Sequence, residues 1–284
     1  MKELCTAFLA ASLYSAFTIA ATATAEPNAR VDIANPNSGT YSAIKQLVLE
    51  DNGFCTLQFA SSRKVATTAA HCLDLIILGD EKFAAVKGAD GTIYAVTHVY
   101  IPDNYAPRDT SNKMYADKAI VVLDRPVSGL VNRFEMRALH PEDFYRKGSK
   151  GGSKGERLDL TVEQAGFPFY KYGTLSGNMN CTLSTPQIAK NGKDYVVHHN
   201  CQIAPGESGS AVWDKKTNEQ VAIITSLNYA IPLTETFINA YETVARAHES
   251  MISPQRPSGF IKVGYQTTAA QKRFAGIEVH HLPM

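Results

Sequence analysis

Residues 43 to 123 form a succession of short segments rich in Val, Ile, Thr and Tyr, separated by Gly, Asp, Asn or Pro. They cover 44–50, 55–60, 64–68, 83–87, 92–101 and 118–123. β-Branched and aromatic side chains suit a pleated, half-buried surface, and the intervening residues favour turns. The second half continues the pattern at 158–165, 178–184, 194–198, 211–214 and 220–226. Gly166-Phe167-Pro168 ends the first of these segments, and residues 215–218 turn the last two into a hairpin. Many short strands with little helix between them predict an antiparallel sandwich or barrel. This pattern sets a fold class and selects no activity.

The ends of the chain read differently. Lys2, a mostly apolar stretch over 4–20 and the small residues Ala23-Thr24-Ala25 before Glu26-Pro27 make residues 1–25 an export signal, too short and too diluted by Thr and Ser for a membrane anchor. Residues 26–40 form a Pro-, Asn- and Gly-rich arm or propeptide, 41–128 a first β-domain, 129–157 a connection and 158–250 a second β-domain with a helix. Within the connection, 147–155 is a flexible Lys/Gly/Ser run that reads as a solvated loop. The helix is expected over 239–250, with Asn239 as N-cap, Glu242 completing a capping box, and Tyr241, Val244, Ala245 and His248 on one face packed on the β-domain. Residues 251–284 form an extension with a Pro-rich linker, no clear period and a surface His280-His281 pair. With 44% hydrophobic residues the core is ample, and a net charge of +1 implies no general attraction to nucleic acid.

Cys5 leaves with the signal, so four cysteines remain: Cys55, Cys72, Cys181 and Cys201. An even count in an exported chain suggests two disulfides, and the count allows three pairings. Cys181, His198, His199 and Cys201 also form a Cys/His cluster. Zinc ligands usually come as two short-spaced pairs, a spacing this cluster lacks, so no metal is expected.

The chemistry gathers at Ala204-Pro205-Gly206-Glu207-Ser208-Gly209-Ser210, which sets a serine between glycines at the start of an apolar run. A nucleophilic serine needs backbone close to the substrate carbonyl, which glycine permits. The N–H groups of Gly206 and Ser208 can then converge on a developing oxyanion. Upstream, Thr68-Ala69-Ala70-His71-Cys72 supplies a base on a tight corner. Asp117 stands at the mouth of the apolar segment Ala119-Ile120-Val121-Val122-Leu123, where a desolvated carboxylate accepts from an imidazole N–H. Asp103 and Asp109 lie in a loop with no apolar strand directly behind them, and Asp124-Arg125-Pro126 reads as a turn.

The order His71, Asp117, Ser208, with separations of 46 and 91 residues (117 − 71 and 208 − 117), resembles the chymotrypsin/trypsin-like serine proteases over roughly residues 31 to 250. Gly-Glu-Ser-Gly-Ser and the Gly-aromatic-Pro turn are most similar to the secreted bacterial branch that includes the glutamyl endopeptidases. The resemblance implies an all-β fold of two antiparallel six-stranded Greek-key β-barrels with a C-terminal helix. It also implies a cofactor-free, monomeric serine endopeptidase acting on protein or peptide substrates, secreted or periplasmic, with disulfides Cys55–Cys72 and Cys181–Cys201. Ser226, Leu227 and Asn228 match the family's substrate-binding strand. Gln202 stands where trypsin-like relatives hold an Asp, and Thr225 where glutamyl endopeptidases usually carry a His. The pattern therefore supports neither basic nor glutamate preference, and a neutral or small apolar residue is expected at the cleavage site.

In many relatives a newly cut amino terminus pairs with the acidic residue before the serine, here Glu207. Arg30-Val31 offers such a cut, with the Val31 amine as the partner; the alternative is an uncut arm with Glu207 bonded elsewhere. Two other functions compete. One is a catalytically latent protease-fold binding protein, which an intact triad opposes. The other is an α/β-hydrolase esterase, which Ser210 at the elbow's final glycine position, the residue order and the missing strand–helix alternation oppose.

Overall fold

The computed structural model describes residues 29–50, 53–81, 83–107, 113–145, 157–249, 262–263 and 278–282. The expected export signal, the Lys/Gly/Ser run at 147–155 and Asp109 lie outside them, as do residues 251–261 and most of the rest of the extension.

The first barrel closes through β2 (Ile44–Leu49), β3 (Phe54–Phe59), β4 (Val65–Thr68), β5 (Ala84–Lys87), β6 (Ile93–Pro102) and β7 (Ala119–Leu123). All are antiparallel, in the order β5-β2-β3-β4-β7-β6, and β6 returns to β5. The second barrel closes through β9 (Leu160–Gly166), β10 (Ser176–Ile188), β11 (Tyr195–His199), β12 (Ala211–Asp214), β13 (Glu219–Ile224) and β14 (Tyr229–Pro232). Its order is β10-β11-β14-β13-β12-β9, with β9 returning to β10. Closure removes the free edges that an open sheet would present. The all-β, two-barrel architecture implied by the resemblance is the one observed. It excludes the α/β-hydrolase reading, since no strand–helix alternation builds either sheet.

The first barrel's core extends into the contact with the second. Leu57, Phe59, Ile120 and Leu123 share one apolar cluster with Ala165, Trp213, Ile223 and Ile231. Trp213 packs on Phe134 at 5.4 Å and on Tyr41 at 6.2 Å between ring centres. A separate cluster of Val162, Leu183, Val197, Val212 and Ile224 fills the second barrel. Both expected disulfides are present, with Cα–Cα distances of 6.1 Å for Cys55–Cys72 and 4.9 Å for Cys181–Cys201. Their sequence separations of 17 and 20 residues suit a contribution on the order of 3 kcal/mol each. The second bridge occupies the sulfurs that a zinc site would have needed.

Helix α3 runs from Glu235 to Glu249 and starts four residues earlier than expected. Asn239 is inside it, while the Thr234 hydroxyl accepts from Phe237 N–H at the observed start. Its buried face carries Phe237, Tyr241, Val244 and Ala245. The Tyr241 hydroxyl donates to Val65 O at 2.9 Å, so this helix of the second half is fastened to the first barrel. His248, expected on the same stripe, is half-buried and meets Tyr100 and the ring of His98 on β6.

Both flanks of the chain add strands. Within the arm, β1 (Arg30–Asp32) pairs antiparallel with β10, Arg30 opposite Asn178. Within the extension, β15 (Lys262–Val263) pairs with β16 (Glu278–Leu282), which runs parallel to β6 and carries His280 and His281. Among the described residues no helix is long and apolar enough to cross a membrane.

Candidate functional site

His71 lies in a 3-10 turn, Ala70–Leu73, directly after β4. The Cys55–Cys72 bridge ties that turn to β3. Asp117 ends a single helical turn, α2 (Lys113–Ala116), just before β7, whose five residues are all buried. The buried carboxylate holds its histidine twice. Asp117 Oδ2 lies 2.7 Å from His71 Nδ1, and Oδ1 accepts from His71 N–H at 2.8 Å. An ionised carboxylate can only accept, so Nδ1 carries the proton and Nε2 is left with its lone pair. Asp103 is exposed, and Asp124 pairs with Arg125, so neither competes for this role.

Burial by itself would lower the pKa of His71, but the Asp117 charge and hydrogen bond, helped by Asp74, more than offset it, and the net shift is upward. Asp74 is in turn held by the Tyr105 hydroxyl and Lys113. A general base must be neutral to work. If the serine-endopeptidase reading proposed below holds, activity is expected to rise with pH through one ionisation whose midpoint lies above the ordinary histidine value of about 6.5. A kcat/KM profile against pH checks this, and a midpoint at or below that value would contradict it.

Ser208 sits half-buried in a turn between two glycines in the left-handed region, Gly206 at φ 93° and Gly209 at φ 85°. Neither the Gly206 nor the Ser208 N–H finds an acceptor among the described residues. The Gly209 amide donates to Ile224 O at 2.8 Å and the Ser210 amide to Glu207 O at 3.0 Å. The two free amides belong to the residues expected to line an oxyanion hole. From the first barrel, Thr56 grips the turn: its N–H donates to Ser208 O at 2.8 Å, and its hydroxyl donates to Gly206 O at 3.0 Å. Gly209 lies directly against Thr68 and Ala69, the residues just before the His71 turn. His71 and Asp117 are thus joined by direct bonds, and the Ser208 turn is brought against the strand end that carries His71.

Glu207 is fully buried, and its carboxylate accepts from Ala204 N–H at 2.7 Å. Its main partner is the guanidinium of Arg30, whose side chain is 9% exposed. In the continuous chain the Arg30 side chain is thus the partner of Glu207, at the place that a Val31 amine would take after a cut. Desolvation raises the pKa of Glu207, and Arg30 opposes that shift only in part.

The expected specificity residues divide. The backbone of Gln202 is fixed by Asn178, whose Oδ1 accepts from Gln202 N–H at 3.0 Å, while its side chain is exposed. Ser226, Leu227 and Asn228, expected as a strand, instead form the tight link between β13 and β14. The N–H groups of Thr225 and Ser226 both donate to Tyr229 O, so the chain reverses before an extended edge can form. Beneath this link His199 Nε2 lies 3.1 Å from Ser226 O. Burial lowers its pKa, so His199 is a neutral support. On the other flank Phe54 stacks on Phe169 at 5.4 Å beside the Gly206 turn, and Phe169, Tyr170 and Tyr172 are all exposed. Cys55, His71 and Cys72 have sulfur and nitrogen atoms close enough to suggest a metal site, but the two sulfurs are bonded to each other.

Sequence marks neither Thr56 nor Phe169 as a site residue, and it marks Arg30 only as a place for a cut. A Thr after Phe54-Cys55 and aromatics after Gly166-Phe167-Pro168 are ordinary strand and turn composition, and only the barrel contact gives them a role.

No family model matches the chain, and no curated protein matches it in sequence. Solved structures do match in shape. A Glu endopeptidase is 17% identical, with a TM-score of 0.57 over 78% of this chain and 97% of its own. A thermostable serine protease from an extremophilic microorganism is 13% identical, with a TM-score of 0.49 over 72% of this chain and 97% of its own. The protease Anisep from Arthrobacter nicotinovorans is 14% identical, with a TM-score of 0.49 over 72% and 95%. The likeness to the Glu endopeptidase shows a trypsin/chymotrypsin-like serine-protease fold, and at this identity it shows the fold alone.

Proposed function

We propose that the protein is an exported serine endopeptidase of the two-barrel type. The observation that carries this reading is the twofold grip of Asp117 on His71, which leaves Nε2 as a base, together with a serine turn whose two amides are free. In this reading His71 takes the Ser208 proton as Oγ attacks the peptide carbonyl, and Asp117 stabilises the imidazolium that forms. The negative charge moving onto the carbonyl oxygen meets the Gly206 and Ser208 amides. His71 then protonates the leaving amine, and water releases the acyl group by the same steps in reverse order.

The substrate is a protein or peptide segment, and the expected preference is for a neutral residue, since Gln202 brings no charge to the position where trypsin-like relatives carry Asp. The experiment is incubation of the secreted protein with a fluorophosphonate, followed by intact mass and peptide mapping. One label on the peptide containing Ser208 is the expected outcome. A folded, disulfide-intact protein that takes no label, whether uncut or cut at Arg30–Val31, would leave the latent binding protein as the better reading.

A further inference from the structure

The Arg30–Glu207 pair joins positions 177 residues apart and lies buried beside the serine turn. Glu207 stands between Gly206 and Ser208, so what anchors its side chain bears on the backbone that carries both free amides. A buried carboxylate without a partner costs several kcal/mol, enough to make such a turn rearrange and swing its side chain to water. The structure supplies that partner from inside the chain. The Arg30 guanidinium donates to Glu207 Oε2 and to Gln202 O, both contacts through Nη2, and to the Tyr170 hydroxyl at 3.1 Å, with its charge 6.0 Å from the Tyr170 ring centre.

Arg30 does not reach this place as a loose side chain. Strand β1 lies on β10 through Arg30, Val31 and Asp32, and Ile33 N–H continues the contact to Leu175 O at 2.9 Å. Asp32 is clamped by Lys171 at 2.7 and 2.9 Å. Two charged residues of β1 thus grip the segment of Tyr170 and Lys171, and that segment is itself hung on the serine turn by Phe169 N–H donating to Pro205 O at 2.7 Å.

We propose that Arg30 of the uncut chain is the positioning residue for the oxyanion turn. The arm is then part of the working enzyme, and no cut at Arg30–Val31 is needed for activity; such a cut would carry the cation away with the upstream piece. This rests on the serine-endopeptidase reading of the same site. Arg30 touches no reacting atom, so its effect falls on the stabilisation of the transition state more than on substrate affinity.

The test uses the secreted chain, its amino terminus shown by intact mass to lie upstream of Arg30. Uncut wild-type protein is expected to label at Ser208 with fluorophosphonate. Arg30→Gln is expected to lower the labelling rate and kcat about 100-fold, the scale of losing one oxyanion donor, with KM changed by less than about threefold. Charge matching supplies a readout that lost packing would not move. In the double variant Arg30→Gln/Glu207→Gln the buried charge is gone as well, and at least a tenfold recovery over Arg30→Gln alone is expected. The proposal is overturned if Arg30→Gln labels at the wild-type rate, if its loss is in KM alone, or if the double variant recovers nothing. It is also overturned if wild type labels only after a cut between Arg30 and Val31. Wild type that never labels removes the endopeptidase reading itself, an outcome distinct from the others.

Discussion

Ser208→Ala is expected to lower peptide-bond turnover by about six orders of magnitude while leaving the fold unchanged. The substitution removes one oxygen and nothing that holds the turn. Thr56 N–H bonds to the Ser208 carbonyl, and the flanking glycines keep their left-handed conformations, so the backbone has no reason to move. What remains is the pair of amides and the binding surface, which elsewhere support residual catalysis of about 10³–10⁴ over water. Asp117→Asn alone is expected to cost about 10⁴ in kcat, because an amide that donates to Nδ1 favours the wrong tautomer of His71. Adding it to Ser208→Ala is expected to cost almost nothing further, since the base has no nucleophile left to serve. Steady-state kinetics of the two single variants and the double variant check this, with thermal melts as the control for folding. Additive losses, or turnover by Ser208→Ala well above the residual level, would mean that Ser208 and Asp117 do not work as one unit.

Gly209→Ala is expected to destabilise the protein by about 2–5 kcal/mol, combining overpacking with the cost of a left-handed non-glycine residue. At φ 85° a Cβ on residue 209 would overlap both Thr68 Oγ1 and Thr56 O, and it would stand 3.0 Å from Ala69 N. Two of these neighbours are backbone atoms of barrel strands or their ends, which cannot rotate aside. The clash lies between the barrels, so relief means pushing the serine turn away from the His71 strand. Loss of activity is expected to accompany the loss of stability, and chemical denaturation together with the fluorophosphonate labelling rate reads both. A variant as stable as wild type would show that the close approach of Gly209 to Thr56 and Thr68 is not required. Gly173 makes a suitable contrast, since it too has a positive φ, but a Cβ there meets nothing within 4 Å. Its replacement by Ala carries only the conformational part of the penalty.

The strands were legible because their signal is local. Segments rich in branched and aromatic residues between turn formers mark 44–50 and 55–60 within a residue or so of the observed Ile44–Leu49 and Phe54–Phe59. Errors arose where a long-range contact outweighs a local one. Asn239 and Glu242 have capping-box spacing, yet α3 begins at Glu235, because burying Phe237 on the barrels is worth more than the cap. Strand β14 went unrecognised because residues 226–228 read as an edge strand; Tyr229 instead pairs across β11 at once and leaves them as a turn. Strand β16 has no sequence period strong enough to see, and it exists through its parallel pairing with β6.

The sequence by itself determined the fold class and the three residues His71, Asp117 and Ser208 as candidates, each marked by its immediate neighbours. It also placed an acidic group beside the serine and left its partner open. Only the tertiary structure decided that partner. A buried carboxylate takes whichever cation the folded chain can deliver to it, and delivery of Arg30 depends on β1 lying on β10 and on Asp32 meeting Lys171. These contacts span more than a hundred residues and follow from the closure of the second barrel, so no local stretch of sequence encodes them.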